Sequence, residues 1–179
     1  LEPASGKTHG FGQAINDWGD RFLCTNQQHA MHVLPLPHRY LMRNPYHASP
    51  NLTHNICGYG HPARVYPTSR PDPWRRARAA DPAWVRFYGE MEATANGYFT
   101  AASGQTIYQG QTFPPEFLGN HFSVDNAQNL IHRCRLVPDG VSYTVRRPDP
   151  NEETEFLTST EQWFRPGNLV TGPDGALYV

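Results

Sequence analysis

The sequence predicts an all-β fold made of short antiparallel strands arranged as the blades of a propeller. Three observations carry that prediction. Pro and Gly are frequent, at 17 and 15 of 179 residues, and charged residues make up only 17%. A helical bundle needs more Ala, Leu, Glu and Lys and far less Pro. Short strand-like runs recur at even spacing, and the Pro-Asp-Gly turn appears twice, at Pro138 and at Pro173, each time before an aromatic-containing strand. Regular short strands with repeated turn chemistry point to blades, because one small sheet cannot bury both faces alone and radial stacking covers each face with a neighbour. At about four strands per blade the chain supplies two to three blades.

The elements follow in order. Phe11–Asn16 and Arg21–Thr25 read as a hairpin around Asp17-Trp18-Gly19-Asp20, where Asp and Gly supply the turn. A third strand is expected at Met31–Pro35, ended by Pro35. From His38 to Pro73 the pattern weakens. Asn44-Pro45, Ser49-Pro50, His61-Pro62 and Arg70-Pro71 turn the preceding residue away from helix, and one strand is expected at Ala63–Tyr66. Thr68–Ala80 reads as a Pro- and Arg-rich surface loop. A short helix follows, capped by Asp81 with Pro82 at its first position. Trp84, Phe87, Tyr88 and Met91 then share one face, which predicts packing onto a sheet. Loop and helix together form one insertion at about 67–97.

Beyond Gly97 the strand signal strengthens. Strands are expected at Phe99–Ala101, Thr106–Tyr108, Asn120–Val124, Asn129–Leu136, Val141–Val145, Glu155–Thr158, Asn168–Thr171 and Ala176–Val179. Both ends read as cut, so residues 1–179 are expected to be a fragment of a single propeller domain.

Composition excludes several function classes. A net charge of -1 with an arginine-dominated basic set offers no field for nucleic acid. No apolar run approaches the roughly 20 residues of a membrane span. Three cysteines, Cys24, Cys57 and Cys134, are too few for a disulfide scaffold. Cys24 and Cys134 lie in apolar runs and read as small buried hydrophobes, a Cys24–Cys134 bridge being the alternative.

Four segments carry a family resemblance. The first is Phe11-Gly12 with Asp17–Phe22, Asn26 and Arg39-Tyr40-Leu41-x-Arg43-Asn44-Pro45. The second runs from Gly104-x-Thr106-x-Tyr108-x-Gly110 to Pro114-Pro115-Glu116-Phe117-x-Gly119-Asn120. The third is Asn129-Leu130-x-His132-Arg133 through Pro138-Asp139-Gly140. The fourth is Trp163-Phe164-Arg165-Pro166-x-Asn168 with Gly172–Val179. Together they resemble the propeller of the PVC-type haem-binding CxxCH proteins, also described as putative membrane-bound dehydrogenases. That propeller is itself similar to the soluble quinoprotein glucose/sorbosone dehydrogenases.

The resemblance implies a six-bladed propeller exported to the periplasm or cell surface. It also implies a sugar or alcohol substrate, pyrroloquinoline quinone and Ca²⁺ in the intact propeller, and a c-type haem module further along the polypeptide. This chain contains no Cys-x-x-Cys-His. Cys57-Gly58-Tyr59-Gly60-His61 has one Cys and the wrong spacing, so no covalent haem is expected here.

Candidate chemistry centres on His121–Arg133. His132 beside a carboxylate, with Asp125 the nearest in sequence, can act as general base in alcohol oxidation. Arg133, Arg165 and Asn168 are the candidates to hold a carboxylate-bearing cofactor, since guanidinium forks match carboxylates. The competing reading makes Asp125 and Asn126 turn formers, packs His132 against a neighbouring blade and gives Arg165 an inter-blade ion pair or a stack on Trp163. His29-x-x-His32 is read as a surface or core-edge pair rather than a metal site, because on a strand that spacing points the rings apart. His9, His47, His54 and His61 are placed in loops. Asp174 reads as a turn former; calcium takes six to eight oxygens. The alternative to an oxidoreductase is a non-catalytic propeller binding carbohydrate or protein.

Overall fold

The computed structural model describes residues 11–48 and 51–179; the loop placement of His9 and the Ser49-Pro50 turn fall outside them. The fold is mostly β-sheet with a few short helices. Strands β1 (Gln13–Ile15), β2 (Arg21–Leu23), β3 (Met31–Val33) and β4 (Thr53–Asn55) form one antiparallel sheet in chain order. Strands β5 (Ala102–Ile107), β6 (His121–Asp125), β7 (Leu130–Asp139) and β8 (Ser142–Arg146) repeat that meander, and β9 (Leu157–Thr158) pairs with the start of β7. Strands β10 (Val170–Thr171) and β11 (Leu177–Tyr178) form a closing hairpin.

The three sheets stack. Ala14 and Phe22 of the first sheet share a buried cluster with Ile107, Cys134 and Val145 of the second. On the opposite face, Tyr108, Phe122, Val124 and Ile131 pack with Leu169 and Leu177 of the hairpin region. Both faces of the second sheet are therefore covered, and every residue of β6 is buried. A strand buried on both faces loses the polar-out alternation of a half-exposed one. Each fully buried Phe or Leu here stabilises the fold by about 2 kcal/mol. The sheets do not close into a barrel or ring among the described residues.

Close approach is enforced at Gly104. Its φ is +48°, and a Cβ there would sit 2.5 Å from the Asn168 Cα, so only glycine lets β5 meet the 167–168 backbone. The same strand takes a hydrogen bond onto the first sheet, Gly104 N–H donating to the Phe11 carbonyl at 2.9 Å.

Several expectations need correction. Thr68–Ala80 is not wholly loop: Pro73–Ala79 is helical (α2), following the first helix, α1 (His38–Leu41). Pro73 suits a helix start, and buried Arg75 anchors the helix through its Nε to Ala95 O (2.9 Å) and its Nη2 to Thr100 Oγ1 (2.7 Å). The capped helix α3 (Pro82–Tyr88) exists, Asp81 accepting from Ala83 N–H at 2.9 Å, and is followed by α4 (Glu90–Ala93). Its aromatic stripe does not pack onto a sheet. Phe87 is 78% and Tyr88 41% exposed; Trp84 stacks on Tyr88 at 4.3 Å, under Arg78. Strand β4 was hidden by its Pro-rich surroundings, and Ala63–Tyr66 makes only an isolated bridge, Arg64 with Tyr98. Phe99–Ala101 lies outside the strand that begins at Ala102.

Candidate functional site

Strand alternation builds the site. Along β7, Leu130, His132 and Cys134 share the face that meets Tyr59, Phe99 and the inner side of the first sheet, while Ile131 and Arg133 lie on the opposite face with Leu169 and Phe117. His132 and Cys134 thus emerge side by side between two sheets. His121 is the cross-strand partner of Cys134. Across the interface, the β2–β3 loop brings in His29, and the turn after β4 brings in Tyr59.

These groups converge. The Tyr59 hydroxyl lies 2.6 Å from His132 Nε2, 2.9 Å from His29 Nε2 and 3.3 Å from Cys134 Sγ. Cys134 Sγ is 3.7 Å from His29 Nε2. On its far side, His132 Nδ1 meets Glu155 Oε2 at 2.5 Å, and Arg147 holds Glu155 Oε1 at 2.8 Å. Glu155 Oε1 also accepts the Tyr66 N–H at 3.0 Å. His29, His121 and His132 are fully buried, and the Phe99 ring stacks on His29 at 4.5 Å. His121 Nε2 reaches Gln105 at 2.8 Å, while the Nδ1 atoms of His29 and His121 have no hydrogen-bond partner.

The electrostatics follow from this crowding. Burial works against charge on His132, but Cys134 and Glu155 outweigh it and push its pKa up to about 9. Burial works against a thiolate at Cys134 as well. The cationic His132 and hydrogen bonds from the surrounding imidazoles nonetheless hold it well below the usual thiol range. Burial lowers His29 to about 4 and drives the Tyr59 phenol well above its ordinary value. Burial opposes ionisation of Glu155 too, yet His132 and Arg147 keep it below the usual range. Cys134 is buried with Ile107 and Val145 as its sequence suggests, and its sulfur also meets Tyr59 and His29. Cys24 is buried as well, with burial raising it to about 12. All three cysteines are free.

Of the five sequence candidates, only His132 lies in this cluster, and its carboxylate is Glu155 rather than Asp125. Asp125 is buried and accepts from the Thr100, Ala101, Ala127 and Gln128 backbone N–H groups and from Gln128 Nε2, between 2.9 and 3.2 Å. That is a turn-building role. Arg133 lies 3.4 Å over the Phe117 ring and donates to Asn120 Oδ1 and to Glu116 O. Arg165 donates to both oxygens of Asp72, at 3.1 and 3.2 Å, and to Asn126 O. Asn168 is exposed, its backbone against Gly104.

The guanidinium groups meant for a quinone carboxylate are thus committed to protein partners. Among the described residues, neither Arg133 nor Arg165 presents an unpaired guanidinium to a quinone carboxylate. Asp174 caps its own turn, accepting from Ala176 N–H and Tyr178 O–H. His32 is buried rather than at a core edge, with Nδ1 2.9 Å from Ser142 Oγ, and does not join His29.

Two clefts border the cluster. One, of about 550 Å³, is lined by Gly58, Tyr59, Thr144, Arg146, Arg147 and Pro150. The other, of about 230 Å³, includes Arg133, Arg147, Glu155 and Phe156. Arg147 lines both.

Sequence reasoning missed His29, Tyr59, Glu155 and Arg147. Their separations along the chain reach 126 residues, so no local spacing could reveal them. The His132-x-Cys134 pair was legible, because alternate residues of a strand share a face. No helix among the described residues is long and apolar enough to cross a membrane.

No curated protein matches the chain. No solved structure matches it either. A family model described as a domain of unknown function (DUF7133) does match, over residues 1–179, and the chain belongs to that family.

Proposed function

We propose that this chain is a sector of an exported six-bladed β-propeller of oxidoreductase type, acting on a sugar or other alcohol and coupled to a haem module elsewhere in its polypeptide. Two four-stranded meanders stacked face to face, followed by the hairpin of a third, support the propeller part of this reading. The resemblance to the haem-binding CxxCH propellers supports the oxidoreductase part.

The single observation that carries the assignment of chemistry is the Glu155–His132 couple at 2.5 Å, set against a phenol and a thiol in a buried site beside a cleft. A carboxylate behind an imidazole fixes its orientation and raises its basicity; once the His132–Cys134 pair has released its shared proton, the imidazole can take up the proton of an alcohol. Arg147, with its side chain 10% exposed, sits between the cleft and Glu155 and holds that carboxylate in place. Tyr59 links His132 to His29 and Cys134, so protonation at one position is felt by the others.

The test is dye-linked oxidation by the intact protein across a panel of sugars and alcohols. Activity lost by about 100-fold or more in His132→Ala, and retained in Arg165→Ala, is the expected result. Silence across the whole panel would sink the oxidoreductase reading.

A second reading, a non-catalytic propeller that binds carbohydrate or protein, is favoured by the exposure of Trp18 (87%) and Trp163 (90%). Glycan binding that survives His132→Ala but disappears on replacing those tryptophans is its signature.

A further inference from the structure

We propose that His29 Nε2, His132 Nε2 and Cys134 Sγ form a three-donor binding site for one thiophilic transition-metal ion, copper(I) by its charge, which displaces the hydrogen-bonded Tyr59 hydroxyl. The inference depends neither on the propeller reading nor on any oxidation activity, and an ion on His132 Nε2 takes the nitrogen that the proposed base uses, so the two are alternatives at that atom.

The donor atoms come from separate parts of the chain and still meet: none of the separations among the three exceeds 4.8 Å. Metal–nitrogen bonds of about 2.0–2.1 Å and metal–sulfur bonds of about 2.3 Å place N and S about 3.6–3.8 Å apart around one ion. The His29–Cys134 separation is 3.7 Å. Tyr59 Oη lies 2.6 and 2.9 Å from the two imidazole nitrogens, closer than the about 3.3 Å between neighbouring ligands of a tetrahedral ion, so the hydroxyl moves aside when the ion enters. Two imidazoles and a thiolate form a soft-to-borderline set that selects copper or zinc over magnesium or calcium.

The surroundings match those of a metal ligand. Histidine ligands characteristically donate their other N–H to a carboxylate, and His132 Nδ1 does so to Glu155, which Arg147 holds in turn. The 550 Å³ cleft reaches Tyr59 and supplies an entry path.

Charge ranks the ions. With the ion bound Cys134 is a thiolate and Glu155 is a carboxylate paired with His132 and Arg147, which gives two negative charges against one positive on Arg147. A monovalent ion makes the buried group neutral, whereas a divalent ion leaves a net positive charge among fully buried side chains, which is costly. On binding, the ion forms bonds to sulfur and the two nitrogens and sheds its own solvent ligands. The proton shared by the His132–Cys134 pair leaves to solvent, and no electron moves.

The experiment uses the intact protein, stripped of metal and kept reduced, titrated with copper(I) against a chromophoric copper(I) chelator and in parallel with zinc(II) and cobalt(II). One copper(I) per chain is expected, bound more tightly than zinc. Affinity should fall by about 100-fold or more in Cys134→Ser and His29→Gln, and stay unchanged in His54→Ala, an exposed histidine of β4. Cobalt(II) bound to the unmodified protein should show a sulfur-to-cobalt charge-transfer band, a readout that needs no variant to fold. Zinc held more tightly than copper(I) would overturn the charge argument. Failure of all three ions to bind stoichiometrically, or binding untouched by Cys134→Ser in a folded variant, would overturn the site.

Discussion

Buried carboxylates do different work at different positions in this chain. Asp125 terminates five hydrogen bonds around the turn that follows β6. Its replacement by Ala leaves several buried donors without partners, and each costs about 1–3 kcal/mol. Asp125→Ala is expected to lose about 3 kcal/mol or more in chemical denaturation; a loss under about 1 kcal/mol would contradict the turn-building role.

Asp20 gives a pH signature. The hydrogen bond from Tyr143 is the chief reason its pKa lies below the ordinary 3.8; burial opposes it, and Asn16 and His32 add smaller lowering contributions. A depressed carboxylate stabilises the fold above its unfolded pKa, and that contribution disappears as pH falls through the folded value. Thermal midpoints should therefore drop below about pH 4, and the drop should shrink in Tyr143→Phe. An identical acid profile in that variant would count against the pair.

Elements are held by single contacts that tolerate little change. The hydroxyl of buried Tyr108 donates to Gly175 O at 2.6 Å and accepts the Thr112 and Phe113 N–H groups at 3.1 Å. It ties β5 to the β10–β11 turn. Tyr108→Phe keeps the ring and orphans three backbone groups, so a loss of about 2–3 kcal/mol is expected. Gly104→Ala should cost more, about 3 kcal/mol or above. It adds a Cβ at a positive φ and drives it into the 167–168 backbone. Urea denaturation of the two variants checks both, and a neutral Gly104→Ala would mean the β5 contact is not close. At this scale the sequence was informative wherever a turn residue or strict alternation marked a boundary, as in the opening hairpin and β6–β7. It was uninformative at α2, because Arg75 supplies the anchor through contacts some 20 to 25 residues away.

Across the whole molecule, stability should follow the stacking order. The second sheet is covered on both faces, whereas α3 has no buried residue. Amide hydrogen exchange should be slowest in β6 and the first half of β7 and fastest in α3 and α4. Comparable protection in α3 and β6 would contradict the layered arrangement. The polar cluster lies within that protected interface. Glu155→Gln should therefore lower stability by about 3 kcal/mol, since it breaks a buried pair and leaves His132 and Arg147 uncompensated; equilibrium denaturation measures it.

The amino-acid sequence by itself determined the class of the fold, the antiparallel hairpins and the helix at Asp81, because turn geometry, capping and strand alternation are local. Only the tertiary structure decided that Arg133, Arg165 and Asp125 are bound to protein partners, and that His29, Tyr59, Glu155 and Arg147 meet at one point. Burial and charge pairing arise between sheets from segments far apart in the chain, and the type of a residue does not say which face of which neighbour it will meet.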